Sequence, residues 1–315
     1  MPYKVFVDGQ SGTTGLRIND YLCNRSDIEL LKIDQHEHKN PEVKRTLINA
    51  SDIVFLCLPD SAARDSVSLL QNDYTRVIDA STAHRTNQNW VYGLPELNKD
   101  QRNRIKEASK VSVPGCHATG FVTSLYPLIQ NGIVPTNYPI TCSSLTGYSG
   151  GGKERIHNFE NNEFSNINSP KHYALNLNHK HIPEMTAITG LLHQPIFTPI
   201  ISNYYKGLVT TIPLHTRMLN RNVCARDVHS LLSEYYADEI LVKVMPFEED
   251  SNLECGFLNT EGCINTDRLE IFVYGNEKQI LVMARLDNLG KGASGAAIQN
   301  MNIMLGVDEL TGLKY

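Results

Sequence analysis

The sequence predicts an α/β chain in two parts: a doubly wound parallel sheet, then an α+β domain with a mixed sheet, with a C-terminal helix returning to the first part. Three observations carry this. Short β-branched runs alternate with helical stretches through the first third, and a glycine cluster separates the first run from the first helix. After about residue 115 the rhythm changes to longer strand-like stretches with few helices. At roughly 150 residues per domain, 315 residues make about two domains. The expected divisions are 1–115, 116–286 and 287–315.

Taken in order, residues 4–7, 30–33, 53–58 and 76–79 read as buried strands, because unbroken apolar runs suit a sheet covered on both faces. Helices are expected over 15–23, 41–49 and 61–71 between them. In the second part, 138–145, 208–214, 241–245, 269–274 and 279–286 read as strands and 228–236 as a helix. Residues 292–305, GASGAAIQNMNIML, follow DNLGK with apolar positions at helical spacing and read as the last helix.

Composition narrows the function classes. With 41% hydrophobic and 20% charged residues the chain is of ordinary globular make-up. Its net charge of −5 comes without any basic block, which argues against a nucleic-acid partner. Residues 111–152 and 185–205 lack Asp, Glu, Lys and Arg, but Pro, Asn, Gln and His interrupt both, so no membrane span is expected. MPYKVFVDG enters a strand directly, without a signal or transit pattern, and a cytoplasmic location is expected. Seven cysteines with no CxxC pair argue against a disulfide framework and a zinc site. Most of them read as buried small apolar residues.

The loop VFVDGQSGTTGL sets Gly9, Gly12 and Gly15, with Ser11, Thr13 and Thr14, between the first strand and first helix. Glycines there let backbone amides approach a pyrophosphate at a helix N-terminus, the arrangement of a Rossmann-type dinucleotide site. The spacing is GxxGxxG rather than GxGxxG, so a plain strand-to-helix turn is the alternative. Asp34, after the second strand, would bond a ribose 2′-hydroxyl and so favour NAD, whereas Lys32, His36, His38 and Lys39 nearby would balance a 2′-phosphate.

In VSVPGCHATG a β-branched run and a Pro-Gly turn deliver Cys116 to the start of a helix. The dipole and unpaired amides of that end favour thiolate over thiol, lowering the pKa from about 8.5, and that makes a nucleophile. HKHIPEM places His179 and His181 two apart, on one face if the segment is extended. Either could serve as acid and base, with Glu184 orienting it; surface histidines are the plain alternative. Lys153 and Arg155 in SGGGKER, and Arg217 in HTRM, are candidates to hold phosphate or carboxylate, or are solvated loop charges.

GQSGTTG, PGCHATG, SGGGK, HKHIPEM and DNLGKGASGAAIQNMN, in that order from residue 5 to residue 305, strongly resemble the N-acetyl-gamma-glutamyl-phosphate reductase family in its short form, related to the aspartate-semialdehyde dehydrogenases. The resemblance implies NADPH-dependent reduction of an acyl phosphate to an aldehyde and inorganic phosphate in arginine synthesis, with NADP as cofactor, and a homodimer or homotetramer. It makes Cys116 the nucleophile and a histidine of HKH the acid/base. It puts the cofactor on Gly9 to Gly15 and on Asn288, Lys291 and Gly292. Three other functions stay open: an aspartate-semialdehyde dehydrogenase, a cysteine hydrolase, and a silent dinucleotide-binding regulator. A carrier-bound acyl group also stays open as substrate.

Overall fold

Val5, Phe6 and Val7 are shut off from solvent on both faces of a sheet, which is what an unbroken apolar run dictates. The computed structural model describes residues 1–34, 36–164 and 166–315. It divides into two units, Met1–Gly115 with Ala293–Lys314, and Cys116–Gly292 with Tyr315. The first begins β1 (Tyr3–Asp8), α1 (Thr13–Leu22), β2 (Ile28–Leu31), α2 (Pro41–Asn49), β3 (Ile53–Leu56) and α3 (Asp60–Ser68). It continues through β4 (Arg76–Asp79), β5 (Val91–Tyr92), α4 (Gln101–Glu107) and β6 (Lys110–Ser112). The six strands are parallel in the order β2-β1-β3-β4-β6-β5. Neighbour order reverses at β1, so the loops after β1 and β3 flank the crevice where doubly wound sheets take ligands.

Local chemistry sets the helix ends. Asn40 caps α2 by accepting from the Glu42 amide at 3.1 Å, with Pro41 preset at the first turn. Helix α3 stops at Ser68, short of the expected 71, and β3 stops at Leu56 before the Pro59 turn. The short elements β5 and α4 have no counterpart in the expected list.

The second unit starts with α5 (Cys116–Gln130), β7 (Thr141–Gly147), α6 (Gly152–Glu160), β8 (Lys171–His172), α7 (Ile182–Thr189) and β9 (Ile196–Ser202). Then follow β10 (Leu208–His215), α8 (Ala225–Tyr235), β11 (Val242–Val244), β12 (Leu269–Gly275) and β13 (Gln279–Leu286). The sheet order is β11-β12-β13-β10-β7-β9-β8, with β11/β12 and β7/β9 parallel and the rest antiparallel. The expected mixed sheet is therefore found. Strand β7 begins at 141 rather than 138, since Pro139 has no N–H to give a ladder.

Helix α5 lies against β10 and β13. Gly120 permits this: a Cβ there would come within 2.6 Å of Thr210 Oγ1. Pro127, inside the helix, cannot donate to the Thr123 carbonyl, and the Tyr236 hydroxyl donates to that oxygen instead at 2.8 Å.

The last helix, α9 (Gly295–Leu305), begins three residues later than expected because Gly290–Ser294 forms a π-helical stretch first. The boundary between units likewise falls after Gly292 rather than after 286. Helix α9 packs on α1 and α4 of the first unit, buried almost all round. Its polar side chains are paired, with Asn300 donating to the Gly93 carbonyl at 2.9 Å and Gln299 to Glu96 at 2.8 Å. All seven cysteines are thiols; only Cys142 and Cys263 are buried, Cys23 and Cys255 are exposed and the other three are half-buried. The expectation that most are core residues is corrected accordingly. Among the described residues no helix is long and apolar enough to cross a membrane.

Candidate active site

In the first unit the glycine loop closes on itself. Gly9 has φ +88°, and a side chain there would run into the Cys57 carbonyl of the loop after β3. The Gly12 amide donates to the Gly9 carbonyl at 2.9 Å, and a Cβ on Gly15 would overlap that same oxygen. Gly12 is the N-cap of α1, and no side chain caps the turn carrying Thr13, Thr14 and Gly15. Glycine backbone opposite an uncapped helix start fits a pyrophosphate. We expect Gly15→Ala to push the loop apart and weaken nicotinamide dinucleotide binding by roughly tenfold or more in a fluorescence titration. An unchanged affinity would show that the loop binds no phosphate.

Asp34 is exposed, and its Oδ1 accepts from the His36 amide at 2.8 Å. The carboxylate thus caps its own turn, which weakens its reading as a selector for NAD. Lys32, His36, His38 and Lys39 are exposed around it. Asp8, at the end of β1, is held by Lys44 at 2.9 Å and by the Ser66 hydroxyl at 2.6 Å, which steadies the strand that leads into the loop.

In the second unit Cys116 is the first residue of α5 and half-buried. Gly292 faces it: a Cβ on Gly292 would come within 2.8 Å of the Cys116 Cβ. The turn bearing Gly292 is stiff, since the buried Asp287 carboxylate accepts from the Leu289, Gly290 and Asn265 amides. The neighbouring His117 is buried, with Nδ1 2.7 Å from Ser144 Oγ and Nε2 2.9 Å from the Tyr173 hydroxyl. Its ring lies 5.4 Å from that of His179 and 5.5 Å from that of His181. Burial pushes its pKa down to about 3, helped by the charges of His179 and Lys180, so it is neutral at working pH.

His179 and His181 are not on an extended segment. They form the turn leading into α7: His181 is its N-cap with φ −90° and ψ −11°, and the His181 amide donates to His179 Nδ1 at 3.1 Å. Pro183 in the first turn presets the helix, which overrides the alternating pattern. The two rings meet edge to face at 4.7 Å, both buried. Glu184 is buried on the first turn of α7.

The remaining expected residues divide. Arg155 is half-buried on α6, its guanidinium carbon 5.4 Å above the Tyr173 ring, and so reaches the cluster. Lys153 is exposed on the first turn of α6. Arg217 does not belong with them. It sits in the turn after β10, where the Asn220 amide donates to the Ile133 carbonyl just beyond the far end of α5. A fifteen-residue helix is about 22 Å long, so its own Cys116 is out of reach. Asn288 is buried with its side chain committed, accepting from the Gly207 amide at 2.8 Å and donating to Ser149 at 2.9 Å. Lys291 is buried on the turn that ends at Gly292. His117, Tyr173 and Ser144 are additions to the expected residues. His117 stood beside the cysteine as a signal; nothing marked the other two.

A parallel dinucleotide-type sheet followed by an α+β unit with a mixed sheet is the fold of the semialdehyde dehydrogenase class of oxidoreductases. Residues 32–107 match the family described as semialdehyde dehydrogenase, NAD binding domain, and residues 116–288 its dimerisation domain. Curated relatives include N-acetyl-gamma-glutamyl-phosphate reductase 2 of a Nostoc species, 43% identical over 98% of this chain and 99% of that one. The reductase of Brucella ovis is 41% identical over 97% and 100%. The chain belongs to the N-acetyl-gamma-glutamyl-phosphate reductase family. Among solved structures, aspartate semialdehyde dehydrogenase from Francisella tularensis has a TM-score of 0.74 at 13% identity, covering 96% of this chain and 100% of its own. The Vibrio cholerae aspartate semialdehyde dehydrogenase II has 0.68 at 15%, covering 97% and 99%. At such identities these share the fold.

Proposed function

We propose that the chain reduces N-acetyl-gamma-glutamyl phosphate to N-acetylglutamate 5-semialdehyde and phosphate with NADPH, through a thioester on Cys116. The observation that carries this reading is the half-buried sulfur at the first residue of α5, next to a residue ringed by His179, His181 and Tyr173. Identity to named reductases over nearly the whole length supports the substrate.

The first turn of α5 favours the thiolate by its dipole. Its attack on the acyl carbon forms an S–C bond and an oxyanion, which backbone amides stabilise by roughly 3 kcal/mol per donor. Collapse of the oxyanion expels phosphate and leaves the thioester. A bound reduced nicotinamide supplies the hydride that the thioester carbon needs. His179 or His181 gives a proton to the thioester oxygen as it becomes a hydroxyl, then takes it back as the C–S bond breaks and the thiolate leaves. Glu184 orients that turn, while Arg155 and Lys153 hold the anionic ends of the substrate. Gly9, Ser11, Gly12, Thr13, Thr14 and Gly15 cradle the dinucleotide. The family resemblance adds Lys291 and Gly292 to the cofactor set, and Asn288 ties their turn to Gly207 and Ser149.

Homodimers or homotetramers suit a domain of dimerisation type, and thiols at all seven cysteines suit the reducing cytoplasm. The test is turnover in the reverse direction with N-acetylglutamate semialdehyde, phosphate and NADP, beside aspartate semialdehyde. We expect NADPH to form with the acetylated aldehyde; turnover with aspartate semialdehyde alone would overturn the reading.

A further inference from the structure

We propose that Tyr173 is a further hydrogen-bond donor at the reacting centre, aimed at the Cys116 sulfur and at the oxygen of the tetrahedral species formed there, and that His117 is the residue that positions it. The proposal rests on Cys116 being the nucleophile.

Both ring nitrogens of His117 are engaged, Nδ1 with Ser144 at 2.7 Å and Nε2 with Tyr173 at 2.9 Å, so the ring is fixed in plane and direction. Being neutral, it holds one proton to share between two partners. The proposal assigns the Nε2–H tautomer, in which the Ser144 hydroxyl donates to Nδ1 and the Nε2–H donates to the phenol oxygen. The phenol's own proton is then left to point at a third group. Cys116 precedes His117 directly, and negative charge on its sulfur is felt at the phenol. Burial first, and that charge second, hold the Tyr173 pKa above its ordinary value, so the group remains a donor throughout the working range. Coupling of this kind is mutual: a phenol that feels the thiolate also stabilises it.

The surroundings fix Tyr173 as well. Arg155 stacks on its ring, and its amide donates to the Pro199 carbonyl of β9 at 3.2 Å. The residues after it enter a tight turn, with the Leu177 amide donating to the Ala174 carbonyl at 2.9 Å and both residues at positive φ. His117 itself cannot act as the acid, because its burial among the rings of His179, His181 and Phe197 keeps it unprotonated.

The test uses Tyr173→Phe, which keeps the ring and its stack on Arg155. Two quantities are measured on the intact chain: kcat and KM in the reductase assay, and the pH midpoint for iodoacetamide alkylation of the peptide carrying Cys116, read by mass spectrometry. The charged and titratable groups around that site, Arg155, His179, Lys180 and His181, stay in place. We expect kcat to fall roughly 10- to 100-fold with KM within about twofold, and the midpoint to rise by about one pH unit. His117→Ala should give the same rise, the double variant no more, and His117→Gln, whose amide can donate from the Nε2 position, should stay near wild type. A midpoint and kcat unchanged in Tyr173→Phe, or a change in KM alone, overturns the proposal. If the wild type fails to turn over the acetylated aldehyde, the substrate reading falls, and the alkylation midpoints still decide the role of Tyr173.

Discussion

Cys116→Ser lowers the reductase rate at least ~10³-fold while leaving the fold and NADPH affinity close to wild type, because a hydroxyl is a far poorer nucleophile than a thiolate near neutral pH. The position is half-buried and the exchange nearly isosteric, so packing gives little reason for destabilisation. The phosphate-binding part of the expected cofactor cradle, Gly9 to Gly15, lies well before Cys116 in the sequence and in the other unit. Steady-state NADPH oxidation with a fluorescence titration separates the two quantities. A variant with wild-type rate would leave a dinucleotide-binding protein without this chemistry. Loss of both rate and cofactor binding would show that the serine had disturbed more than the nucleophile.

Gly292→Ala should be the second most damaging change. Its Cβ would meet the Cys116 Cβ at 2.8 Å, the Asp287 carbonyl at 3.2 Å and the Cys116 Cα at 3.3 Å. None of these is the loose end of a long side chain. The Gly292 amide donates to the Asp287 carbonyl at 3.0 Å, and the Asp287 carboxylate is fixed by three backbone amides. The shift therefore falls largely on the cysteine. Displacing a reacting atom by about 1 Å can cost on the order of 10²-fold, and that is the expected fall in kcat, with a stability cost of about 1–3 kcal/mol from overpacking. Steady-state kinetics and thermal melting measure both; a wild-type kcat would mean that the Gly292 turn does not set the sulfur's place.

How far the sequence revealed the fold depended on how much of each signal was local. β1, β3 and β4 were readable because burial on both faces leaves runs such as Val5–Phe6–Val7 without polar interruption. Strands β12 and β13 stood out by length. Strand β9 did not: residues 185–205 are apolar without period, and Pro199 falls inside the strand. A three-residue alternation at HKH had no power against the proline that starts α7. The last helix was legible but its start was not, because a π-helical stretch carries no period of its own.

The site shows the same division. The Cys116 turn, the glycine loop and the histidine pair are each written in a few adjacent residues. The His117, Ser144 and Tyr173 network joins three elements through the fold, with Tyr173 lying 56 residues beyond His117. Arg217 illustrates the converse. An arginine after a strand has chemistry but no address, and only the path of α5 shows that it lies at the wrong end.

The covalent bond at position 116 is open to direct observation. The chain is mixed with N-acetyl-gamma-glutamyl phosphate without any nicotinamide, quenched in acid within the first turnover, digested and weighed by mass spectrometry beside the phosphate released. One N-acetylglutamyl group on the peptide containing Cys116, with one equivalent of phosphate per site, is the predicted result. Phosphate release without an acylated Cys116, or acyl transfer to another residue, would contradict it.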